Sequence, residues 1–121
     1  MTLDEIKKMI HDSDYWDCKV CGIQCDYFAD EVTISYDSGD GQYFKYNFIS
    51  CYKINFEHHT GYDKMIQVKH MIPQQIPYYL QEISVEETQS HDKKFLAFKI
   101  NMYPLNIEIW CEHFEITSDT V

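Results

Sequence analysis

The 121-residue chain reads as an α+β protein, mainly antiparallel β. About seven strands are expected in a meander that forms a curved sheet or open barrel, with one N-terminal helix. Three observations predict this. Apolar residues recur at helical spacing only in the first dozen positions. From Cys21 onward the period is two. No βαβ alternation occurs, which argues against a doubly wound nucleotide fold. The length supports one domain with a real core, assigned to residues 1–121, and is too short for two.

The elements follow in order. "TLDEIKKMIHDSD" places Leu3, Ile6, Met9 and Ile10 on one helical face, and Thr2 with Glu5 makes a capping-box pattern, so a short helix ends near Asp12. Cys21, Ile23, Cys25 and Tyr27 then fall on one face of a strand, with Gly22, Gln24 and Asp26 on the other. "ADE" is a tight connection. "VTISY" turns Val32, Ile34 and Tyr36 inward, and "DSGDG" is a hairpin turn. Alternation continues through Phe44, Tyr46, Phe48, Tyr52, Ile54 and Phe56, long enough to require a bend near Ser50. "HHTGYDK" is a loop, and Ile66, Val68 and His70 suggest a strand. "PQQIPYYL", with two prolines, is irregular or a single helical turn. "YYLQEISVEET" is a strand, "ETQSHDKK" a polar loop, and "FLAFKINMY" a strand through Leu96, Phe98, Ile100 and Met102. After a turn at Pro104 and Asn106, "NIEIWCEHFEI" closes the chain, with a face switch near Trp110 to Glu112 of the kind a β-bulge makes.

Charge excludes several functions. Twenty acidic residues against ten lysines, with no arginine, give a net charge of −10. Such a surface repels nucleic acid and anionic membranes, so neither is an expected partner, and a basic protein is. Without arginine, a forked grip on phosphate is missing. The apolar runs are too short to span a bilayer, and "MTLDEIKKMIHDSD" lacks the apolar core of a secretory signal. The protein is therefore expected in the cytoplasm, where its five cysteines stay reduced.

"CKVCGIQC" holds Cys18, Cys21 and Cys25 and opens like a zinc knuckle. A structural zinc site needs four ligands, commonly from two such knuckles. No second knuckle occurs, and Cys51, His58, His59, Cys111 and His113 are scattered. The strand reading, with cysteine as a small buried residue, is favoured, and no metal or other cofactor is expected. Gly22 suits a bulge or a close backbone approach. His58 and His59 read as a polar strand end. Cys111 and His113 lack a neighbouring oxyanion hole or nucleophile elbow, and no nucleotide, hydrolase or metalloprotease motif is present. The chain is expected not to be an enzyme. Glu82, Glu86, Glu108 and Glu112 should face away from the apolar side, as a solvated face or as an acidic interaction face.

Taken together, "HDSDYWDCKV", "DEVTISYD", "NFISCYKINFEHH", "YYLQEISVE" and "NIEIWCEHFEI" resemble the small, acidic, β-rich immunity proteins of bacterial polymorphic toxin systems. The resemblance covers His11 to Ile116 and lies in strand pattern and a few positions, among them Trp16, Cys51 and Cys111. It implies a non-enzymatic inhibitor that binds a cognate toxin, secreted or delivered on contact. A basic nuclease is the expected target, occluded by an acidic face. The expected contact residues are Asp26, Asp30, Glu31, Asp37 and Asp40 around the first hairpin and Glu82, Glu86 and Glu87 on a later strand, with Tyr36 and Tyr43 as aromatic anchors. Two alternatives stay open: a small zinc-binding or redox domain on Cys18, Cys21 and Cys25, and a hydrolase or ligand carrier using a cavity in the sheet.

Overall fold

A computed structural model describes residues 1–63 and 65–120. Helix α1 spans Leu3–Asp12. Its start is the expected capping box: the Glu5 amide donates to Thr2 Oγ1 at 3.2 Å, and the Thr2 amide donates to Glu5 Oε1 at 3.1 Å. Ile6 and Ile10 bury the apolar stripe. At the other end Ser13 is buried, its hydroxyl donating to the Ile10 carbonyl at 2.6 Å and meeting the Tyr46 hydroxyl at 2.5 Å. The Tyr36 hydroxyl donates to the Ser13 carbonyl at 3.0 Å. Two core tyrosines thus tie the helix end to the sheet.

The described residues form six strands: β1 (Lys19–Asp26), β2 (Glu31–Asp37), β3 (Gln42–His58), β4 (Glu82–Ser90), β5 (Lys93–Met102) and β6 (Leu105–Thr120). All pairs are antiparallel, in the order β1-β2-β3-β6-β5-β4. The class and the N-terminal helix are as expected; the strand count is six, and the meander is interrupted once. Two three-stranded meanders join where the long strands β3 and β6 pair. The strand expected at Ile66, Val68 and His70 is instead a single 3-10 turn at Val68–His70, followed by another at Pro73–Gln75. Ile66 is 41% exposed, so this connector lacks the buried apolar row that holds a strand in register. The loop expected over "HHTGYDK" begins after His58, and its last residue, Lys64, lies outside the described residues.

Two further segments differ from expectation. "ETQSHDKK" is mostly strand, because β4 runs to Ser90 and β5 starts at Lys93. Only His91 and Asp92 turn, both at positive φ (50° and 64°), which suits the right-handed twist of a two-residue hairpin. β1 ends at Asp26, so Tyr27 belongs to a turn rather than to the strand.

The core lies on the helix side of the sheet. Tyr36, Tyr46, Phe48, Phe98 and Phe114 stack edge-on or tilted there, with centroids 4.8–5.5 Å apart. Such contacts contribute about 0.5–1.5 kcal/mol each beyond burial. β3 bends at Ser50, whose φ is 56°, and its register with β6 shifts between Cys51 and Lys53. β6 buries Ile107, Ile109 and Cys111 and then Phe114, the face switch that its alternation required. The sheet is open, and among the described residues its ends meet only where the run into β4 touches the start of β1. There Lys19 and Tyr79 form an isolated bridge, and the Val20 amide donates to the Tyr78 carbonyl at 3.0 Å. No described helix is long and apolar enough to cross a membrane.

Candidate partner-binding face

Among the described residues no helix packs on the other face of the sheet, and strand alternation sets carboxylates there among neutral polar side chains and lysines. Val32, Ile34 and Tyr36 point inward, so Glu31 and Asp37 point out, and Asp26 sits opposite Glu31 in the ladder. Val85 faces the core, which sends Glu82 and Glu86 outward, and Ile107 with Ile109 does the same for Glu108. The ladders align Glu82, Asn101, Asn106 and Glu57 in one row and Ser84, Lys99, Glu108 and Asn55 in the next. These two rows line a shallow groove of about 580 Å³. Lysines interrupt the field: Lys53 pairs with Glu108 at 3.2 Å, Lys93 with Glu112 at 3.2 Å and Lys45 with Asp119 at 3.7 Å. These pairs are solvent-screened and contribute at most about 1 kcal/mol each.

Of the residues expected to bind a partner, Asp26, Glu31, Asp37, Tyr43, Glu82 and Glu86 share this helix-free face. Asp30 and Asp40 lie in turns at opposite ends of β2, which at about 3.3 Å per residue puts them on the order of 20 Å apart. Asp37 caps its turn by accepting the Gly39 amide at 2.8 Å, and Gly39 and Gly41 supply the positive φ of 88° and 87° that the turn needs. Of the remaining expected residues, Tyr36 is corrected and Glu87 is exposed on the other side of the sheet. Tyr36 is fully buried with its hydroxyl on Ser13, so it cannot anchor a partner. Glu87 pairs across the ladder with Leu96, which packs against the core, so it belongs to the helix side.

Sequence alternation missed a second feature of this face. The register shift in β3 leaves Tyr52 unpaired and re-aims it outward, as bulges do. It stacks on Phe95 at 4.7 Å and lies 6.3 Å from Trp110. Lys53 Nζ sits 4.7 Å over the Trp110 ring. The Trp110 indole N–H makes no hydrogen bond to another described residue. Beside Tyr52 opens a cleft of about 290 Å³, bounded by Asp30, Ser50, His91, Lys93 and Glu112.

The segments around that cleft are strained. Tyr27, Phe28 and Ala29 are consecutive left-handed residues (φ 54°, 57° and 68°), and Ser50, His91 and Asp92 are left-handed as well. Each costs about 1 kcal/mol relative to glycine. The first of these turns holds Tyr27 at 72% and Phe28 at 107% exposure. Two bonds fasten the segments together: the Cys51 amide donates to the Asp30 carbonyl at 2.9 Å, and the Tyr52 and Ser90 hydroxyls meet at 3.4 Å.

Cys18, Cys21 and Cys25 are spread along β1 and the turn before it. Among the described residues no three His, Cys, Asp or Glu side chains converge to hold a metal ion. Cys21 and Cys25 lie in an extended strand, which at about 3.3 Å per residue separates them by roughly 13 Å. Burial, then the Asp14 and Asp37 carboxylates, raise the Cys18 thiol pKa; burial, then Asp37, raise that of Cys21. Both effects favour the neutral thiol in the metal-free protein. The expectation that these cysteines are buried is also corrected. Ile23 and Cys25 face the core side opposite Ile34 and Val32, but α1 packs at β4 and leaves the end of β1 uncovered. Cys21 and Cys25 are exposed. Cys21 is the extra residue where the register slips between Val20 and Gly22, the bulge that Gly22 suggested.

The histidines have local partners. His58 Nε2 lies 3.2 Å from the Tyr78 hydroxyl, and His59 Nδ1 accepts the Gly61 amide at 3.1 Å. Cys111 is buried, with its thiol pKa pushed up to about 12 by burial and then by Cys51, whereas His113 is exposed.

No curated protein matches the chain. The sequence model of the family described as Immunity protein PIM7 matches residues 2–118. That match takes in the helix, both meanders and the helix-free face alike, and it places the chain in the Immunity protein PIM7 family, the immunity proteins of a bacterial toxin system.

Proposed function

We propose that the protein binds its cognate toxin through the helix-free face and neutralises it by occlusion, without chemistry of its own, in the cytoplasm. The observation that carries this reading is the outward placement of carboxylates at both edges of the sheet, Asp26 and Glu31 at one and Glu82 and Glu86 at the other, on the face that no described helix covers. Six strands at about 4.8 Å spacing make a face roughly 24 Å wide. A stable complex buries about 800 Å² per partner, so one toxin domain can cover that width.

The charge favours a basic target. A nuclease must concentrate positive charge to hold phosphate, and a net charge of −10 with no arginine complements it. Steering of this kind raises association rates to about 10⁸–10⁹ M⁻¹s⁻¹ at low salt, which suits an inhibitor that must act before the toxin does. Asp26, Glu31, Asp37, Glu82 and Glu86 are the proposed contacts, with Asp30, Asp40 and Tyr43 at the margins. The test mixes the purified protein with the C-terminal domain of the toxin encoded beside its gene. A stoichiometric complex and loss of nucleic-acid cleavage are expected. A complex without inhibition overturns occlusion, and a toxin that cleaves no nucleic acid overturns the nuclease assignment.

A further inference from the structure

We infer that the cleft beside Tyr52 is the anchor point of the toxin interface and receives one cationic side chain of the toxin, a lysine or arginine, on the open face of the Tyr52 ring. The inference rests on the toxin-binding reading above and narrows it from a face to a point.

The platform is rigid below and open above. Phe95, beneath Tyr52, is 6% exposed, while Tyr52 itself is 53% exposed, and the two rings stack at 4.7 Å with 20° between planes. A half-exposed aromatic on a fixed floor is the kind of residue on which binding energy concentrates. The face of an aromatic ring is electron-rich and attracts cations. The protein already uses that chemistry one step away, where Lys53 covers Trp110 at 4.7 Å. That lysine lies over Trp110, and among the described residues no cation lies over the half-exposed Tyr52 ring.

The cleft walls select the same charge. Asp30 and Glu112 flank it. Glu112 is held by Lys93, whereas Asp30 makes no ion pair among the described residues. With twenty acids against ten lysines and no arginine, a cation supplied by the partner complements the Asp30 carboxylate. At about 290 Å³ the space suits one long side chain rather than a folded segment. Its edges are set in advance: six of the eight left-handed non-glycine residues belong to the three segments around it. Strain held at one place marks functional sites, and a preformed cleft binds with less ordering cost.

The probe is the same toxin domain, inactivated by substitution in its own active site and measured by surface plasmon resonance. Tyr52→Ala and Tyr52→Leu are each expected to weaken binding at least tenfold, mainly through faster dissociation, and Tyr52→Phe to stay within twofold of wild type. Asp30→Lys, in an exposed turn with no packing to lose, is expected to weaken binding tenfold or more even if Tyr52→Ala folds poorly. Wild-type affinity in Tyr52→Leu would show a merely apolar contact and overturn the inference, as would wild-type affinity in Asp30→Lys. A wild-type protein that fails to bind at all overturns the toxin reading itself, an outcome distinct from a complex indifferent to position 52.

Discussion

At the scale of single residues, Ser13 connects helix to core. Its hydroxyl donates to Ile10 and is within reach of Tyr46, and its carbonyl accepts from Tyr36. Tyr46→Phe removes one of these bonds while keeping the ring, so denaturant unfolding should show a loss of about 1 kcal/mol. Tyr46→Ala also empties core volume and should cost about 3–5 kcal/mol. The buried thiols predict a pH dependence. Burial pushes Cys111 up to about 12 and Cys51 up to about 11. A thiol whose folded pKa exceeds its unfolded value of about 8.5 adds stability that is complete below that value and lost as pH rises toward the folded pKa. Unfolding free energy should therefore fall between pH 9 and 11, by on the order of 2–3 kcal/mol for Cys111. The fall should be shallower in Cys51→Ala/Cys111→Ala. Parallel wild-type and variant curves would contradict the assignment.

At the scale of elements, legibility followed the apolar period. α1 was readable because Thr2, Glu5, Ile6 and Ile10 each carry a separate local signal. β2 was readable because Val32, Ile34 and Tyr36 alternate without a break. The same alternation failed at Tyr52, where the irregularity around Ser50 to Lys53 turns that residue outward, while Ile54 and Phe56 keep the expected inward parity. It failed at Tyr27 and Phe28 for another reason: a left-handed turn built from aromatic residues lacks the glycine or asparagine that ordinarily marks one. The tip of the β4–β5 hairpin reads as a loop because both of its faces are solvated and carry no apolar row. The expected strand around Val68 shows the converse, a short apolar pattern with no sheet edge to receive it. Two element-scale predictions follow from these contrasts. Thr2→Ala should cost about 1 kcal/mol through the lost cap. Ala29→Gly should stabilise the protein by about 1 kcal/mol, because glycine adopts the 68° φ without steric penalty. Thermal melts monitored by circular dichroism read both.

At the scale of the whole molecule, an open sheet with one covered face makes burial and recognition separate problems. The helix and the aromatic core occupy one side. The other is left to carboxylates, neutral polar side chains, lysines only some of which are ion-paired, and an aromatic platform. The sequence announced the acidity and the direction of most of these acids, since outward positions follow from inward ones. It could not announce their grouping, because strand order is set by the long β3–β6 pairing between distant segments. The first-hairpin acids and those of β4 consequently lie at opposite edges of one face, and only a partner about as wide as the sheet can touch both.

The most direct test of that claim is the association rate of the toxin domain with wild type and with Glu31→Lys/Glu82→Lys/Glu86→Lys, measured by stopped flow at low and at physiological salt. Electrostatic capture by the helix-free face predicts at least a tenfold slower association for the triple variant at low salt, a gap that narrows as salt screens the field, and little change in dissociation. Equal association rates at low salt would contradict it.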